Sequence, residues 1–419
     1  MKKNVCIIGG GPAGMLAAYY AGKNGHNVTL FEKNEKLGKK IYITGKGRCN
    51  FTNDTSAEDF LSHIVRGDKF LRGAIYSFPP QKTMDLMQEF GLSIQIERGN
   101  RVFPSSNHAS DVTKTLEKAC KSVGVSIKLG EKVEKIQTEI TMRDIIPMLR
   151  IAKLITNQGV YMPDVVIVAT GGLSYPSTGS TGDGYVFAKA VGHTVTELKC
   201  GLCGLNVEGN YYKNLQGLAL KNVSFCVKMG EKTVFEEFGE MLFTHFGVSG
   251  PIVLSASSKI NRLPFNCLSA TIDLKPAIDE QTLDKRILRD FEKYKNKKII
   301  NALVDLLPQK LIPVILSFAS IPEETPVHSI TKLQRENLVY LIKAFPLQIK
   351  GLRGFEEAII TSGGVALTEI NPKTMESKKV SGLKFCGEVL DVDAFTGGFN
   401  MQIAFATGYI KNSIKLANI

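Results

Sequence analysis

Apolar residues along this chain fall into two kinds of run. "NVCIIGG" from Asn4 and "NVTLFE" from Asn27 are short and almost wholly apolar, so each predicts a strand buried on both faces. "PAGMLAAYYAGKN" between them predicts a helix ended by Gly25, and the three elements make a βαβ unit. Near the middle, "PDVVIVATGG" predicts another buried strand running into a glycine pair, and "GDGYVFAKAVGH" a helix closed by Gly192, with Asp183 at its cap.

From about residue 195 the pattern alternates. "VSFCVKMGEKTVFEEF" predicts two antiparallel strands joined at "MGEK". Residues 279–346 then carry apolar side chains at helical spacing with lysines and arginines on the other face, which is either a solvated face or a surface for anions. "AIITSGG" and "LKFCGE" return to short strands, and "GGFNMQIAFATGYIKNSI" predicts a glycine-led amphipathic helix that rejoins the first sheet. The expected division is therefore a discontinuous domain of residues 1–194 and 347–419, a β-rich insertion over 195–278 and a helical one over 279–346.

Composition adds limits. With 419 residues, 43% hydrophobic and 22% charged, the chain can bury one large core or two to three smaller ones, as a soluble globular protein does. The opening lysines and apolar run copy a secretory signal superficially, but glycines interrupt it, so it is read as the first strand and helix. Eight cysteines scattered along the chain, with Cys6, Cys226 and Cys386 inside apolar strands, predict reduced thiols and the cytoplasm. "CGLC" at Cys200–Cys203 has no second pair to complete a zinc site, so no metal is expected there. The net charge of +12 favours polyanions, although it can equally belong to a basic protein with no such partner.

The sharpest motif is "GGGPAG", with Gly9, Gly11 and Gly14 at GxGxxG spacing after a strand and before a helix. The first glycine permits a tight turn, the second lets backbone approach a pyrophosphate, and the third lets helix and strand pack closely. Glu32 ends the second strand at the offset where a carboxylate accepts ribose hydroxyls, so an adenine dinucleotide is expected. FAD and NAD share this fingerprint. No second such module follows, which favours resident FAD with NAD(P)H as a transient reductant.

"LGKKIYITGKGRCNFTN", "GSTGDGYVFAKAVGH", "MLFTHFGVSGPIVLSAS" and "CGEVLDVDAFTGGFNMQIAFATG" resemble, in this order and nearly end to end, the BaiN/RdsA family of FAD-dependent oxidoreductases, also labelled aminoacetone-oxidase-like. The resemblance implies an α/β fold, a two-dinucleotide-binding-type FAD Rossmann domain assembled from both chain ends with β-rich and helical insertions. It implies cofactor contacts from Pro12, Ala13, Lys33, Lys40 and Val133; from Thr170, Gly171 and Gly172; and from Gly387, Glu388, Asp391, Gly397, Gly398, Asn400 and Met401. The reactions it implies are hydride transfer from reduced FAD to an electron-poor C=C bond, with uridine of 23S ribosomal RNA as the leading acceptor. The alternatives are a small-molecule enone reductase, an aminoacetone-type amine oxidase and a noncatalytic flavin sensor.

"TGKGRCNFTN" then has a physical reading. Gly45 and Gly47 let backbone N–H groups approach a planar ring, while Lys46 and Arg48 bring positive charge that stabilises an anionic reduced flavin. Asn50 and Asn53 orient the loop or bond the ring. Cys49 is either a proton donor to the carbon opposite the hydride or a small buried packer. His245, after an apolar strand, is either a proton donor or a hydrogen-bonded turn residue. Tyr175 and Phe395 either flank the flavin or fill the core.

Overall fold

The computed structural model describes residues 2–143 and 146–409. They form two compact units, one from the stretch up to Cys200 together with that from Phe355 onward, the other from Gly201–Gly354. The centre of the first unit is a five-stranded parallel sheet ordered Leu383–Phe385, Val165–Val168, Asn4–Ile8, Asn27–Glu32, Ser126–Leu129. Every residue of Val165–Val168 is buried, as expected of a parallel strand covered on both faces. Strands from both ends of the chain thus lie side by side, Val168 paired with Ile8 on one edge and Phe385 on the other.

Pro12 starts the first helix, Pro12–Lys23, where its missing N–H costs nothing. The last helix, Phe399–Gly408, packs against it so closely that a Cβ on Gly408 would lie 2.5 Å from the Ala13 carbonyl oxygen. Eight of its ten residues are buried. The expected amphipathic helix is therefore enclosed on nearly every side, with Asn400 and Met401 partly buried: alanine and glycine let it enter between other elements. "IKNSI", which was expected to extend it, lies outside the described residues. Gly182, at φ +82°, caps the helix Asp183–Ala190, so Asp183 sits in its first turn and not at the cap.

The second unit holds a seven-stranded antiparallel sheet, including the expected hairpin of Ala219–Met229 and Lys232–Thr244. The structure corrects the expected boundaries. Strand Ile349–Leu352 pairs with Leu205–Val207, so the chain stays in this sheet up to Gly354, and the division falls at 200/201 and 354/355 instead of 194/195 and 346/347. The β-rich and helical segments are also not separate bodies. Val227 and Ile272 of the sheet share one core with Leu283 and Ile287 of helix Glu280–Lys293 and Leu338 and Ile342 of helix Lys332–Lys343. An amphipathic helix needs an apolar surface to cover, and the sheet supplies it. Among the described residues no helix is long and apolar enough to cross a membrane.

Candidate cofactor site

The turn between the first strand and helix has the geometry its glycines predict. Gly9 adopts φ +107°, and a Cβ there would meet the Ala169 carbonyl oxygen at 2.5 Å. A Cβ on Gly14 would lie 1.9 Å from the Gly9 oxygen, so helix and strand touch backbone to backbone. Gly11 differs: nothing lies within 4 Å of its Cβ position, and no side chain caps the helix that follows. Open space thus faces unsatisfied first-turn N–H groups, the arrangement that receives a phosphate anion.

Glu32 is buried at the end of the second strand, its carboxylate accepting from the Gly10 N–H at 2.9 Å and from Asn34 N and Nδ2 at 2.9 and 2.7 Å. An ionised carboxylate has about four acceptor positions, so room remains for a ribose hydroxyl. The Glu32 carbonyl oxygen accepts from Glu131 N, which starts the segment carrying buried Val133 into the long hairpin Val133–Arg143 and Ile146–Thr156. Lys33 pairs with Asp183 at 2.7 Å and so ties the second strand to the helix behind the Thr170–Gly172 turn. Thr170 Oγ1 is buried without a hydrogen-bond partner, and Gly171 is at φ +71°. A Cβ on Gly172 would lie 2.4 Å from Thr361 Oγ1 and 2.8 Å from Glu388 Oε1.

That close packing forms a polar knot. Ser174 Oγ donates to Glu388 Oε1 at 2.9 Å, and Lys40 Nζ donates to Glu388 Oε2 at 2.9 Å and to Ser174 Oγ at 2.5 Å. Thr361 N also donates to Glu388. Gly387 at φ +76° brings Glu388 there, with its own N–H bonded to Thr407 Oγ1.

The loop Thr44–Asn53 is strongly constrained. Gly45, Lys46, Gly47 and Cys49 all have positive φ, between 58° and 87°. Its far end is fastened by Phe51 N to Val102 O and by Asn53 Nδ2 to both Gly99 O and Gly397 O at 3.0 Å. A Cβ on Gly398 would lie 2.4 Å from Thr52 O and 2.9 Å from Asn50 Oδ1, so the loop abuts the N-terminus of the last helix. Asn50 Oδ1 is itself buried without a partner. Arg48 pairs with Glu97, donates to Asn107 at 2.7 Å and stacks 4.3 Å over Phe103, which holds its charge at the loop's outer side.

Several expected residues do other work. Asn400 spends its side chain on Ala394 N and O and on Phe395 O, closing the turn before the last helix. Asp391 faces Arg66 at 3.5 Å, with Oδ1 buried and lacking a hydrogen bond. Met401 packs against the core. Cys49 is fully buried, and burial alone pushes its thiol up, so it stays protonated in either of its two expected roles. His245 lies in an exposed turn of the other unit. None of the eight cysteines is in a disulfide.

Sequence reading missed Ser174 and Thr361, whose spacing carries no motif, and Gln402, buried in the last helix with Oε1 accepting from Thr52 and Thr83 at 2.7 Å. It also missed His63, stacked 4.3 Å on Phe399 with Nδ1 held 2.9 Å from the Asp59 carbonyl. A polar residue inside an apolar helical run was the one available signal, and it marks Gln402 alone.

Together, an open anion cradle at Gly11, an acid beside it, and buried polar atoms without hydrogen-bond partners at Thr170 Oγ1 and Asn50 Oδ1 fit a long polar ligand running from Glu32 to the last helix. They fit FAD. Such a site on a parallel Rossmann sheet defines the class of FAD-binding oxidoreductases.

Within that class, the chain belongs to the family described as HI0933-like protein Rossmann domain, whose sequence model matches residues 3–413. It is 31% identical over 409 residues to the 3-dehydro-bile acid delta(4,6)-reductase of Clostridium scindens, covering 96% of this chain and 97% of that protein. It is also 31% identical over 408 residues to the ribosomal RNA dihydrouridine synthase of Haemophilus influenzae, covering 96% of each. Its fold is similar to that of 3-ketosteroid-delta4-(5alpha)-dehydrogenase from Rhodococcus jostii RHA1, with TM-score 0.52 and 14% identity over 97% of this chain and 95% of that one.

Proposed function

We propose that this chain saturates a C=C bond conjugated to a carbonyl, using FAD reduced by NAD(P)H, and that the acceptor is uridine in 23S ribosomal RNA, giving dihydrouridine. The observation that carries the reading is the near-complete match to two kinds of relative whose named reactions make the same bond change. The flavin, when bound, supplies the hydride. The chain's own part is to bind and orient it: first-turn N–H groups at the pyrophosphate, Glu32 at the ribose, the Lys40–Ser174–Glu388 knot and Asn50 along the remainder. Preference for RNA rests on the second relative and on the net charge of +12, which favours a polyanion. The target base has to leave its stack to reach the ring.

Cells lacking the gene are expected to lose one dihydrouridine from large-subunit rRNA and regain it on complementation. Unchanged modification would remove the RNA assignment.

One observation favours a small enone as acceptor. Of the seven cations between Lys285 and Lys298 that were expected to form an RNA face, five sit against acids: Arg286 and Arg289 on Asp290, Lys293 on Asp305, Lys295 on Glu292, and Lys298 on Glu324. Turnover of NAD(P)H with a 3-oxo-4-ene steroid and no rRNA activity would select that reading.

A further inference from the structure

We infer that the rim of the cofactor site itself carries a phosphate clamp for a single-stranded RNA, made by Lys46 of the constrained loop and Arg98 and Arg101 of the neighbouring hairpin. The inference rests on the RNA reading above and gives it a surface. Strands Ile94–Glu97 and Arg101–Pro104 form a hairpin whose tip is Arg98, Gly99 and Asn100, with Gly99 and Asn100 at φ +76° and +57°. Two backbone bonds and one side-chain bond fix that hairpin on the loop: Asp54 N to Asn100 O at 2.7 Å, Phe51 N to Val102 O at 3.1 Å, and the Asn53 side-chain Nδ2 to Gly99 O at 3.0 Å. Asn53 Nδ2 also donates to Gly397 O, one residue before the cap of the last helix. Loop, hairpin tip and closing segment therefore converge on one asparagine.

Charge at this junction is one-sided and available. Residues 44–54 and 97–103 hold Lys46, Arg48, Arg98 and Arg101 against Asp54 and Glu97. Glu97 is committed to Arg48, whose hydrogen bond holds the carboxyl below the usual carboxylate range. Lys46, Arg98 and Arg101 are exposed, and among the described residues none of them is in an ion pair with a carboxylate. Arg101 Nε rests on the Arg98 carbonyl at 3.0 Å, and its guanidinium lies 5.9 Å from the Phe103 ring that Arg48 also covers. Arg101 also stands opposite Glu97 in the hairpin and adds to the charge that Arg48 sets on its carboxylate, and fixed backbone with exposed cationic ends suits a phosphodiester chain, since little order has to be imposed on binding. Exposed Ile43 and Ile96 flank these cations and offer apolar contact to bases. The helix cations of the other unit, mostly neutralised by carboxylates, lack this availability.

The test compares the holoenzyme with R98E/R101E and with K285E/K297E, the latter pair lying on the helical segment outside the proposed clamp. Flavin absorbance verifies that each variant retains its cofactor. Binding of unmodified large-subunit rRNA, and of a mixed-sequence 20-nucleotide single strand, is measured across a salt series. The clamp predicts that R98E/R101E loses affinity by about tenfold or more and that its log–log salt slope falls by about 1–2, while K285E/K297E stays near wild type. Wild-type binding with an unaltered R98E/R101E, or an equal loss in both pairs, overturns the clamp and leaves the RNA reading standing. A wild type that neither binds these RNAs nor forms dihydrouridine overturns both.

Discussion

A Cβ placed on Gly14 would lie 1.9 Å from a backbone oxygen, whereas one placed on Gly47 would meet nothing closer than 3.9 Å. Both glycines belong to glycine-rich stretches of the same unit, yet they answer to different constraints. Around Gly9 and Gly14 the side chain is excluded because backbone packs on backbone. Around Gly47 space is open and glycine is favoured by positive φ alone, while at Gly45, also at positive φ, a Cβ would lie 3.3 Å from the Asn50 backbone nitrogen. The first stretch is a packing device that leaves a cradle at Gly11. The second is a conformational one, turning the chain so that Asn50 meets the N-terminus of the last helix.

Substitutions can separate these roles. Gly14→Ala is expected to have the largest effect: the clash is with backbone that cannot move aside, so the protein should purify without flavin and lose roughly 1–3 kcal/mol or more of stability in denaturant melts. Flavin retention at wild-type level would show that the close helix contact is dispensable.

Asn50→Ala should split binding from stability. Its Oδ1 is an orphaned buried acceptor, so the apoprotein should be no less stable without it, while flavin affinity should drop by about tenfold in equilibrium titrations. A destabilised apoprotein with unchanged affinity would assign Asn50 to the fold.

Gly47→Ala introduces only left-handed strain, about 1–2 kcal/mol by melting, with flavin still bound. Should it behave like Gly14→Ala, the contrast between the two stretches fails.

The smallest effect on turnover is expected from Cys49→Ala, whose pH–rate profile should match wild type between pH 6 and 9, in the spirit of a thiol that never ionises there. Burial raises the folded-state pKa above the ordinary value of 9.0. The stability linked to this thiol is therefore complete below pH 9 and lost progressively above it, so the variant should be less sensitive to alkaline unfolding than wild type. A profile that loses a limb would restore Cys49 as an acid.

Much of the nucleotide half was legible because its determinants are local. Gly9, Gly11, Gly14 and Glu32 act within one strand, turn, helix and strand, and their spacing states their geometry. The loop 44–53 was recognisable as unusual, but the fate of its side chains was not. Arg48 turns outward because Glu97, Asn107 and Phe103, all distant in sequence, collect around it. Asn400 is taken by the turn at Ala394, and Lys40 by Glu388 from the opposite end of the chain. Domain limits slipped for a similar reason: Ile349–Leu352, with Lys350 and Gly351 inside it, carries no pattern of its own, and only its pairing with Leu205–Val207 assigns it.

Sequence by itself determined the parallel core, the anion cradle and the acid beside it, since each follows from residue type and spacing within one short stretch. Tertiary structure alone decided which charges are available and which are spent. That depends on partners outside the local stretch, from a dozen to hundreds of residues away: Lys40 and Glu388 are neutralised together, Lys293 meets Asp305 and Lys298 meets Glu324, while Lys46 and Arg98 are left facing solvent. A side chain's charge is written in the sequence, but its electrostatic effect is set by what the fold brings within a few ångströms of it.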